Sequence, residues 1–206
     1  MPQSRHLIAI LRGITTPEVL AVSTALADAG IDMIEVPLNS PEALASIALA
    51  TRTLEGRALV GAGTVLSLED VDAVAAAGGK FVVSPDTNEQ VIERTRARGM
   101  LSFPGVFSPS EAFRAIRAGA TGLKFFPAEV LGPGGIRAMK AVLPPDMPLY
   151  AVGGAKPDNF ADYFAAGCAG FGLGTYLFKP GMTVEQCAER ARAAVAAYDR
   201  ENKHGH

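Results

Sequence analysis

The chain has 206 residues and a formal net charge of −2; the length suits one domain, and the charge argues against a nucleic-acid-binding protein, which usually needs a basic face. A hydrophobic content of 49% suits a packed core, yet no apolar run approaches the roughly 18 residues of a membrane span. The first residues carry too short an apolar stretch for a secretory signal, and the two cysteines, Cys168 and Cys187, suit free thiols in a reducing compartment. We therefore expect a cytoplasmic protein that binds neither membranes nor nucleic acids.

Short β-rich runs alternate with longer Ala-rich helical runs along the chain. The strands are predicted at residues 7–12, 33–37, 59–63, 81–84, 101–103, 122–126, 149–152 and 170–173. The helices are predicted at residues 17–29, 41–54, 68–77, 87–98, 108–118, 133–142, 159–166 and 183–200. Parallel strands joined by helical crossovers give this rhythm. Eight β–α units favour an α/β fold in which residues 1–206 form a single (β/α)₈ TIM barrel, with an open doubly wound sheet as the alternative.

Charged residues are unexpected in the strands of a parallel barrel, because these strands are buried on both faces. The predicted strands contain three of them: Arg12, Glu35 and Lys124. Arg12 and Glu35 fall late in their strands, toward the carboxyl end where barrel enzymes build their sites. Strand alternation puts Phe126 on the same face as Lys124, so we expect Phe126 to line the substrate site beside the lysine.

A lysine and a glutamate that face the same barrel interior have a chemical use. Desolvation disfavours the ammonium form of Lys124 and frees its amine to attack a carbonyl group. Glu35 can take and return protons in the same enclosure, because burial raises its pKa toward the working pH. The alternative is a buried Lys–Glu ion pair with no catalytic role, an arrangement that is costly in desolvation.

Other catalytic chemistries find little support in the sequence. The three histidines lie near the chain ends, at His6, His204 and His206. A histidine-ligated zinc site or a Ser-His-Asp triad would need an imidazole at a central strand end. A magnesium site built only from carboxylates would draw on Glu35, Asp86 and Glu129, but no paired-acid motif is visible. We therefore expect neither a metal nor another cofactor.

Glycine-rich loops follow the last two predicted strands. Gly153 and Gly154 follow the seventh strand, and Gly174 and Thr175 follow the eighth. Loops at these two positions of a barrel often bind phosphate, since glycine lets the backbone amides approach the anion closely. Thr64, directly after the third strand, is not part of a phosphate loop and could donate a hydroxyl hydrogen bond to a substrate carboxylate. The loops predict a phosphorylated ligand.

Several segments, in order along the chain, closely resemble the bacterial aldolases that cleave 2-keto-3-deoxy-6-phospho sugar acids. They are EVPLNSP at residues 35–41, VGAGTV at 60–65, VSP at 83–85, LKFFPAE at 123–129, and the loops at Gly153-Gly154 and Gly174. The resemblance covers nearly the whole chain. It implies a homotrimeric class I aldolase that needs no metal and acts on a phosphorylated keto-deoxy sugar acid.

The resemblance also implies a role for individual residues. The lysine matching Lys124 forms the Schiff base, and the glutamate matching Glu35 is the acid/base. The positions matching Arg12, Thr64 and Pro85 line the carboxylate and pyruvate end of the site. The glycine loops hold the phosphate.

The family has two branches whose substrates, a gluconate and a galactonate form, are epimers at C4. The gluconate branch commonly has an arginine where this chain has Asn39 and a threonine where it has Val152, a residue that should contact the substrate near C4. Thr175 replaces a serine often found there and keeps the hydroxyl group. The galactonate branch is favoured, which implies cleavage of 2-dehydro-3-deoxy-6-phosphogalactonate to pyruvate and D-glyceraldehyde 3-phosphate. The gluconate epimer, cleaved by the same mechanism, is the alternative substrate.

Two hypotheses from other functional classes are also compatible with a phosphate-binding barrel. One is an isomerase or synthase that forms no covalent intermediate. The other is a sugar-phosphate-binding protein without turnover. Both leave an inward-facing lysine and glutamate unexplained.

Overall fold

The computed structural model describes residues 5–202, in which nine strands alternate with eight α-helices. The strands are β1 (Leu7–Ile10), β2 (Met33–Pro37), β3 (Leu59–Gly63), β4 (Phe81–Val83), β5 (Leu101–Phe103), β6 (Gly105–Val106), β7 (Leu123–Phe125), β8 (Leu149–Val152) and β9 (Gly170–Leu173). The helices are α1 (Thr16–Asp28), α2 (Ala43–Thr53), α3 (Leu68–Ala76), α4 (Glu89–Ala97), α5 (Pro109–Arg117), α6 (Ala128–Lys140), α7 (Phe160–Ala165) and α8 (Val184–Asn202).

All strand pairs are parallel, in the order β5-β4-β3-β2-β1-β9-β8-β7-β6. The two edge strands of this order, β5 and β6, are separated in the chain only by Pro104, which has no N–H to donate to a ladder. The Pro104 carbonyl accepts a 3.0 Å hydrogen bond from the Lys124 amide. Together β5 and β6 therefore act as one interrupted strand that closes the sheet. The predicted (β/α)₈ barrel is confirmed, and the open doubly wound sheet is wrong.

Side-chain caps fix where several helices begin. Ser67 precedes α3, and its hydroxyl accepts a 3.1 Å hydrogen bond from the Asp70 amide. Ser108 precedes α5, where the Glu111 carboxylate accepts a 2.8 Å hydrogen bond from the Ser108 amide. Such reciprocal capping satisfies amides that have no partner inside the helix. The caps hold short helices in place outside the barrel.

Some boundaries differ from the sequence-based prediction. β1 ends at Ile10, so Arg12 lies in the turn after the strand and not within it. The predicted helix at 133–142 begins earlier, at Ala128, and contains a non-helical Gly132 with φ of 69°. A 3₁₀ turn at Pro157–Asn159 precedes α7. Turn geometry of this kind leaves little trace in hydrophobic periodicity, which explains these errors.

The barrel interior has its own hydrophobic core, separate from the layer between strands and helices. Its members are Ile8, Ile10, Met33, Phe81, Val83, Phe103, Tyr150 and Val152. The Phe103 and Tyr150 rings meet edge to face, with centroids 5.2 Å apart. The Tyr150 hydroxyl lies 2.7 Å from Nδ1 of His6, which precedes β1. Aromatic side chains therefore fill the amino-terminal end of the barrel, and open space remains at the carboxyl end.

The cysteines and the helices can be compared with the expectations of free thiols and of no membrane span. Cys168 and Cys187 are both free and buried. Within residues 5–202, no helix has the length and apolar character needed to cross a membrane. His204 and His206 lie outside the described residues.

Candidate active site

A pocket of about 760 Å³ opens at the carboxyl end of the barrel. Nine of the residues predicted for the site line it: Arg12, Glu35, Lys124, Phe126, Val152, Gly153, Gly154, Gly174 and Thr175. Thr64 and Pro85 are not part of this lining. Thr64 accepts a 3.4 Å hydrogen bond from Arg12, and Pro85 follows β4 and packs its backbone against Gly105. The structure thus brings together residues that are up to 163 positions apart, from Arg12 to Thr175.

Lys124 projects into this pocket from the middle of β7. The residue is only 6% exposed, and its Nζ lies 4.7 Å from the centroid of the Phe126 ring. Burial lowers the pKa of Lys124 from its usual value, an effect that the Arg12 charge reinforces and the Glu35 charge opposes. A lowered pKa increases the share of neutral amine, which is the form that attacks a carbonyl carbon.

Glu35 extends into the same pocket from β2. It is 2% exposed, and its Oε2 atom has no hydrogen-bond partner among the described residues. Burial raises the pKa of Glu35 to about 7, although Lys124 and then Arg12 act in the opposite direction. A carboxyl group with this pKa can both accept and donate a proton near neutral pH.

Glu35 and Lys124 do not form an ion pair with each other. Neither residue takes part in any of the ion pairs found among residues 5–202. The alternative of a buried Lys–Glu ion pair thus has no direct contact here, although each group acts on the pKa of the other. The two groups face a shared space, where a bound molecule could reach both.

Gly63 makes room for the Glu35 carboxylate. A Cβ atom added at Gly63 would lie 1.7 Å from Glu35 Oε1 and 2.5 Å from Glu35 Cδ. No side chain is compatible with that distance, so the glycine at the end of β3 is needed for the observed position of the carboxylate.

Arg12 is held at the mouth of the pocket by two neighbouring loops. Its Nη1 donates to Asn39 Oδ1 at 2.6 Å and to Thr64 Oγ1 at 3.4 Å. Thr64 has a φ of 58°, in a region that β-branched residues rarely occupy. Backbone strain of this kind persists only where the surrounding structure fixes it, and it clusters at functional sites.

The glycine loops form the opposite end of the pocket. Gly153 and Gly154 have φ values of 98° and 73°, and two consecutive residues with positive φ are readily accommodated only as glycines. Asn159 Nδ2 donates to the Gly154 carbonyl at 2.9 Å and fixes the loop. Open space surrounds Gly174, where an added Cβ would meet no atom within 4 Å. Backbone amides in such loops can contact an anion closely.

Three cationic side chains that the sequence analysis did not assign also line the pocket: Lys156, Lys179 and Arg190. Lys156 lies two positions after the Gly153-Gly154 loop, so proximity in sequence could have identified it. Arg190 lies within α8, and its Nη1 donates to the Tyr176 carbonyl at 2.6 Å. Only the packing of α8 brings Arg190 to the pocket, which no local pattern indicates.

The possible carboxylate metal site does not assemble. Glu35 and Glu129 both line the pocket, whereas Asp86 is not part of its lining. No group of three or more His, Cys, Asp or Glu side chains in the described part of the chain is arranged to hold a metal ion. Glu129 instead lies against the glycine loop, with its Oε2 2.6 Å from the position of a Cβ on Gly154.

Residues 2–192 match the family model described as KDPG and KHG aldolase. A curated relative from Rhizobium meliloti, named "Probable 2-dehydro-3-deoxy-6-phosphogalactonate aldolase", is 50% identical over 198 residues, which cover 96% of this chain and 93% of the relative.

Solved structures agree with this match. The structure titled "Native KDPGal structure" is 47% identical, with a TM-score of 0.94 over 98% of this chain and 97% of that one. A KDPG aldolase from Legionella pneumophila, whose title reports pyruvate captured as a covalent carbinolamine, is 26% identical, with a TM-score of 0.83 over 93% and 94% of the chains. This chain therefore belongs to the KDPG and KHG aldolase family.

Proposed function

We propose that this aldolase cleaves 2-dehydro-3-deoxy-6-phosphogalactonate to pyruvate and D-glyceraldehyde 3-phosphate through a Schiff base on Lys124. The observation that carries the proposal is the pairing of a buried, desolvated lysine with a buried glutamate in one pocket, without an ion pair between them. The Rhizobium meliloti and KDPGal relatives support the substrate, and the carbinolamine in the Legionella pneumophila title supports the covalent route.

The reaction begins with the neutral amine of Lys124. Its nitrogen attacks the C2 ketone of the substrate and forms a carbinolamine, and Glu35 exchanges the protons that let water depart. The product of this step is a protonated imine. The imine accepts electrons, so bond cleavage requires no metal ion.

Cleavage then depends on Glu35 as a base. The Glu35 carboxylate takes the proton of the C4 hydroxyl group, directly or through water, and the C3–C4 bond breaks. The bond electrons move to the imine and give an enamine, while C4 becomes the aldehyde carbon of glyceraldehyde 3-phosphate. Glu35 returns a proton to C3, and water hydrolyses the imine to release pyruvate and free Lys124.

The two ends of the pocket hold the two charged ends of the substrate. Arg12 binds the carboxylate as a charge-assisted pair, with Thr64 and Pro85 around the pyruvate end. The loops at Gly153-Gly154 and at Gly174-Thr175 bind the phosphate, and Lys156, Lys179 and Arg190 add positive charge at that end. The Phe126 ring lies 4.7 Å from Lys124 Nζ and lines the same pocket.

Val152 favours the galactonate over the gluconate substrate. It ends β8 directly before Gly153, lines the pocket and is opposite Gly172 in the strand register, and this position lies between the phosphate end and Lys124. A valine offers no hydrogen bond to a C4 hydroxyl group, which a threonine of similar shape would offer to one epimer.

We also propose that the chain, as a single domain, acts as a homotrimer in the cytoplasm. The family resemblance supports the trimer, as do large apolar side chains that remain exposed, including Phe107, Val130 and Val142. The two buried, free cysteines suit a reducing compartment. Light scattering coupled to size-exclusion chromatography measures the assembly.

The experiment that tests the proposal is reductive trapping. Borohydride in the presence of pyruvate should add the mass of the reduced adduct to one peptide, at Lys124. Lys124→Arg should be inactive and unlabelled, because a guanidinium group stays protonated. Lys156→Arg is a matched control, since Lys156 also lines the pocket but is exposed; it should still be labelled at Lys124.

Turnover of both epimeric substrates completes the test. Pyruvate and glyceraldehyde 3-phosphate should form from the galactonate epimer with the higher kcat/KM. Label at another lysine, or turnover without any trapped adduct, would refute the covalent mechanism. Binding of the sugar phosphate without turnover would refute the enzymatic proposal.

A further inference from the structure

The turn after β2 contacts the turn after β1 at two adjacent positions. The Ser40 amide donates to the Pro37 carbonyl at 2.9 Å, which closes a tight turn. Asn39 in this turn accepts the 2.6 Å hydrogen bond from Arg12 Nη1, and the Ser40 hydroxyl accepts a 2.9 Å hydrogen bond from the Gly13 amide. Two neighbouring side chains of one turn thus hold two neighbouring residues of the other.

Asn39 and Arg12 differ in their relation to the pocket. Arg12 lines it, whereas Asn39 accepts a hydrogen bond from Arg12 and is not part of the lining. Asn39 and Thr64 both accept from the same nitrogen, Nη1. Among the described residues, no side chain or carbonyl accepts from Nε or Nη2 of Arg12. The guanidinium is therefore fixed through one nitrogen and keeps its other donors for a bidentate contact with a carboxylate.

We propose that Asn39 is a positioning residue for the aldol reaction: it holds Arg12 so that the free donors of the guanidinium face the substrate carboxylate. The inference rests on the proposed function, because it assigns the carboxylate end of the substrate to Arg12. Asn39 itself touches neither the substrate nor the reacting atoms.

The hydrogen bond between Asn39 and Arg12 is connected to the acid/base group, Glu35, through the backbone and through charge. Glu35 and Asn39 belong to the same strand-and-turn segment, and the Leu11 amide donates to the Glu35 carbonyl at 2.9 Å. The two charged groups that act on Glu35 are Lys124 and Arg12, and both lower its pKa against the larger effect of burial. Release of Arg12 from Asn39 should therefore raise the pKa of Glu35 further.

The first test is Asn39→Ala with Ser40→Ala as its matched control. Both variants remove one side-chain acceptor from the same turn, but only Asn39→Ala releases Arg12. We expect Asn39→Ala to raise KM about 10-fold, which corresponds to loss of one charge-assisted hydrogen bond, with a much smaller change in kcat. The acidic limb of its kcat profile should move to higher pH. Ser40→Ala should leave KM and the acidic limb unchanged, even where thermal unfolding shows that it lowers stability.

The second test is a double-mutant cycle with Arg12→Ala. If Asn39 acts through Arg12, then Asn39→Ala should change KM by less than about 2-fold in the Arg12→Ala background. An undiminished effect in that background would overturn the inference, and so would an unchanged KM in the single variant. Reductive trapping on the native protein tests the proposed function separately, so trapping at Lys124 together with either of these results would reject the positioning role alone.

Discussion

Gly63→Ala should remove most of the activity while it leaves the fold intact. The added Cβ would lie 1.7 Å from Glu35 Oε1, whereas real Cβ contacts essentially never fall below 3.0 Å. The carboxylate oxygen must therefore move by about 1.3 Å, the difference between these two distances. The backbone can remain in place, because Gly63 has no positive φ and the displaced atoms form the end of a flexible side chain.

The magnitude follows from the size of this displacement. A misplacement of about 1 Å in a catalytic group can lower the rate about 10²-fold, and full loss of a positioned acid/base costs about 10²–10⁴-fold. We therefore expect kcat to fall about 10²-fold in Gly63→Ala, close to the loss in Glu35→Gln. Trapping of the pyruvate imine at Lys124 at long incubation times should persist, since the lysine itself is not displaced.

The assay separates proton transfer from cleavage. Exchange of the pyruvate methyl protons with deuterium from solvent requires the acid/base but no aldehyde, and ¹H NMR follows it directly. Exchange in Gly63→Ala should slow about as much as kcat. Thermal unfolding measured in parallel should show little change in stability.

Gly61→Ala, two residues earlier in β3, provides the contrast. Its added Cβ would lie 2.3 Å from the Phe81 carbonyl oxygen, and a backbone atom of the neighbouring strand cannot rotate away. Gly61→Ala should therefore lower the free energy of unfolding, whereas Gly63→Ala should lower activity. Near-normal proton exchange in a folded Gly63→Ala variant would refute the idea that the Glu35 position matters for catalysis.

Three further predictions concern the acid/base, the absence of a metal and the substrate. Because burial raises the pKa of Glu35 to about 7, kcat should fall as the pH drops through this value and the base is protonated. The same raised pKa lowers the stability of the native fold as the pH rises from about 4.5 to about 7, so Glu35→Gln should unfold at a higher temperature than the native protein at pH 8. A difference in unfolding temperature that does not depend on pH would contradict this cause. Activity should persist in EDTA, and a loss that Mg²⁺ or Zn²⁺ restores would argue against an imine as the electron acceptor. Val152→Thr should shift the ratio of kcat/KM values toward the gluconate epimer by about 2- to 13-fold, which corresponds to one hydrogen bond. An unchanged ratio would exclude Val152 as a determinant of epimer preference. A native preference for the gluconate epimer would overturn the proposed substrate.

The sequence was most informative where a local pattern has a direct structural cause. Alternating strand and helix patterns predicted the barrel, because each unit must bury one face against its neighbours. Lys124 and Glu35 stood out because charges rarely occur in strands that are buried on both faces. The Gly153-Gly154 pair predicted a loop whose backbone can approach a ligand closely, and it lines the pocket.

The tertiary structure decided the features that depend on contacts between distant segments. It placed Arg12 in a turn beyond β1, where Asn39 and Thr64 orient it, and it brought Arg190 to the pocket through the packing of α8. The sequence suggested that burial would raise the pKa of Glu35, but only the structure shows which groups oppose that rise, namely Lys124 and Arg12. Periodicity and motifs depend on the neighbours of a residue along the chain. Its burial, its hydrogen-bond partners and the electric field around it depend on its neighbours in space, and only the folded barrel defines these neighbours.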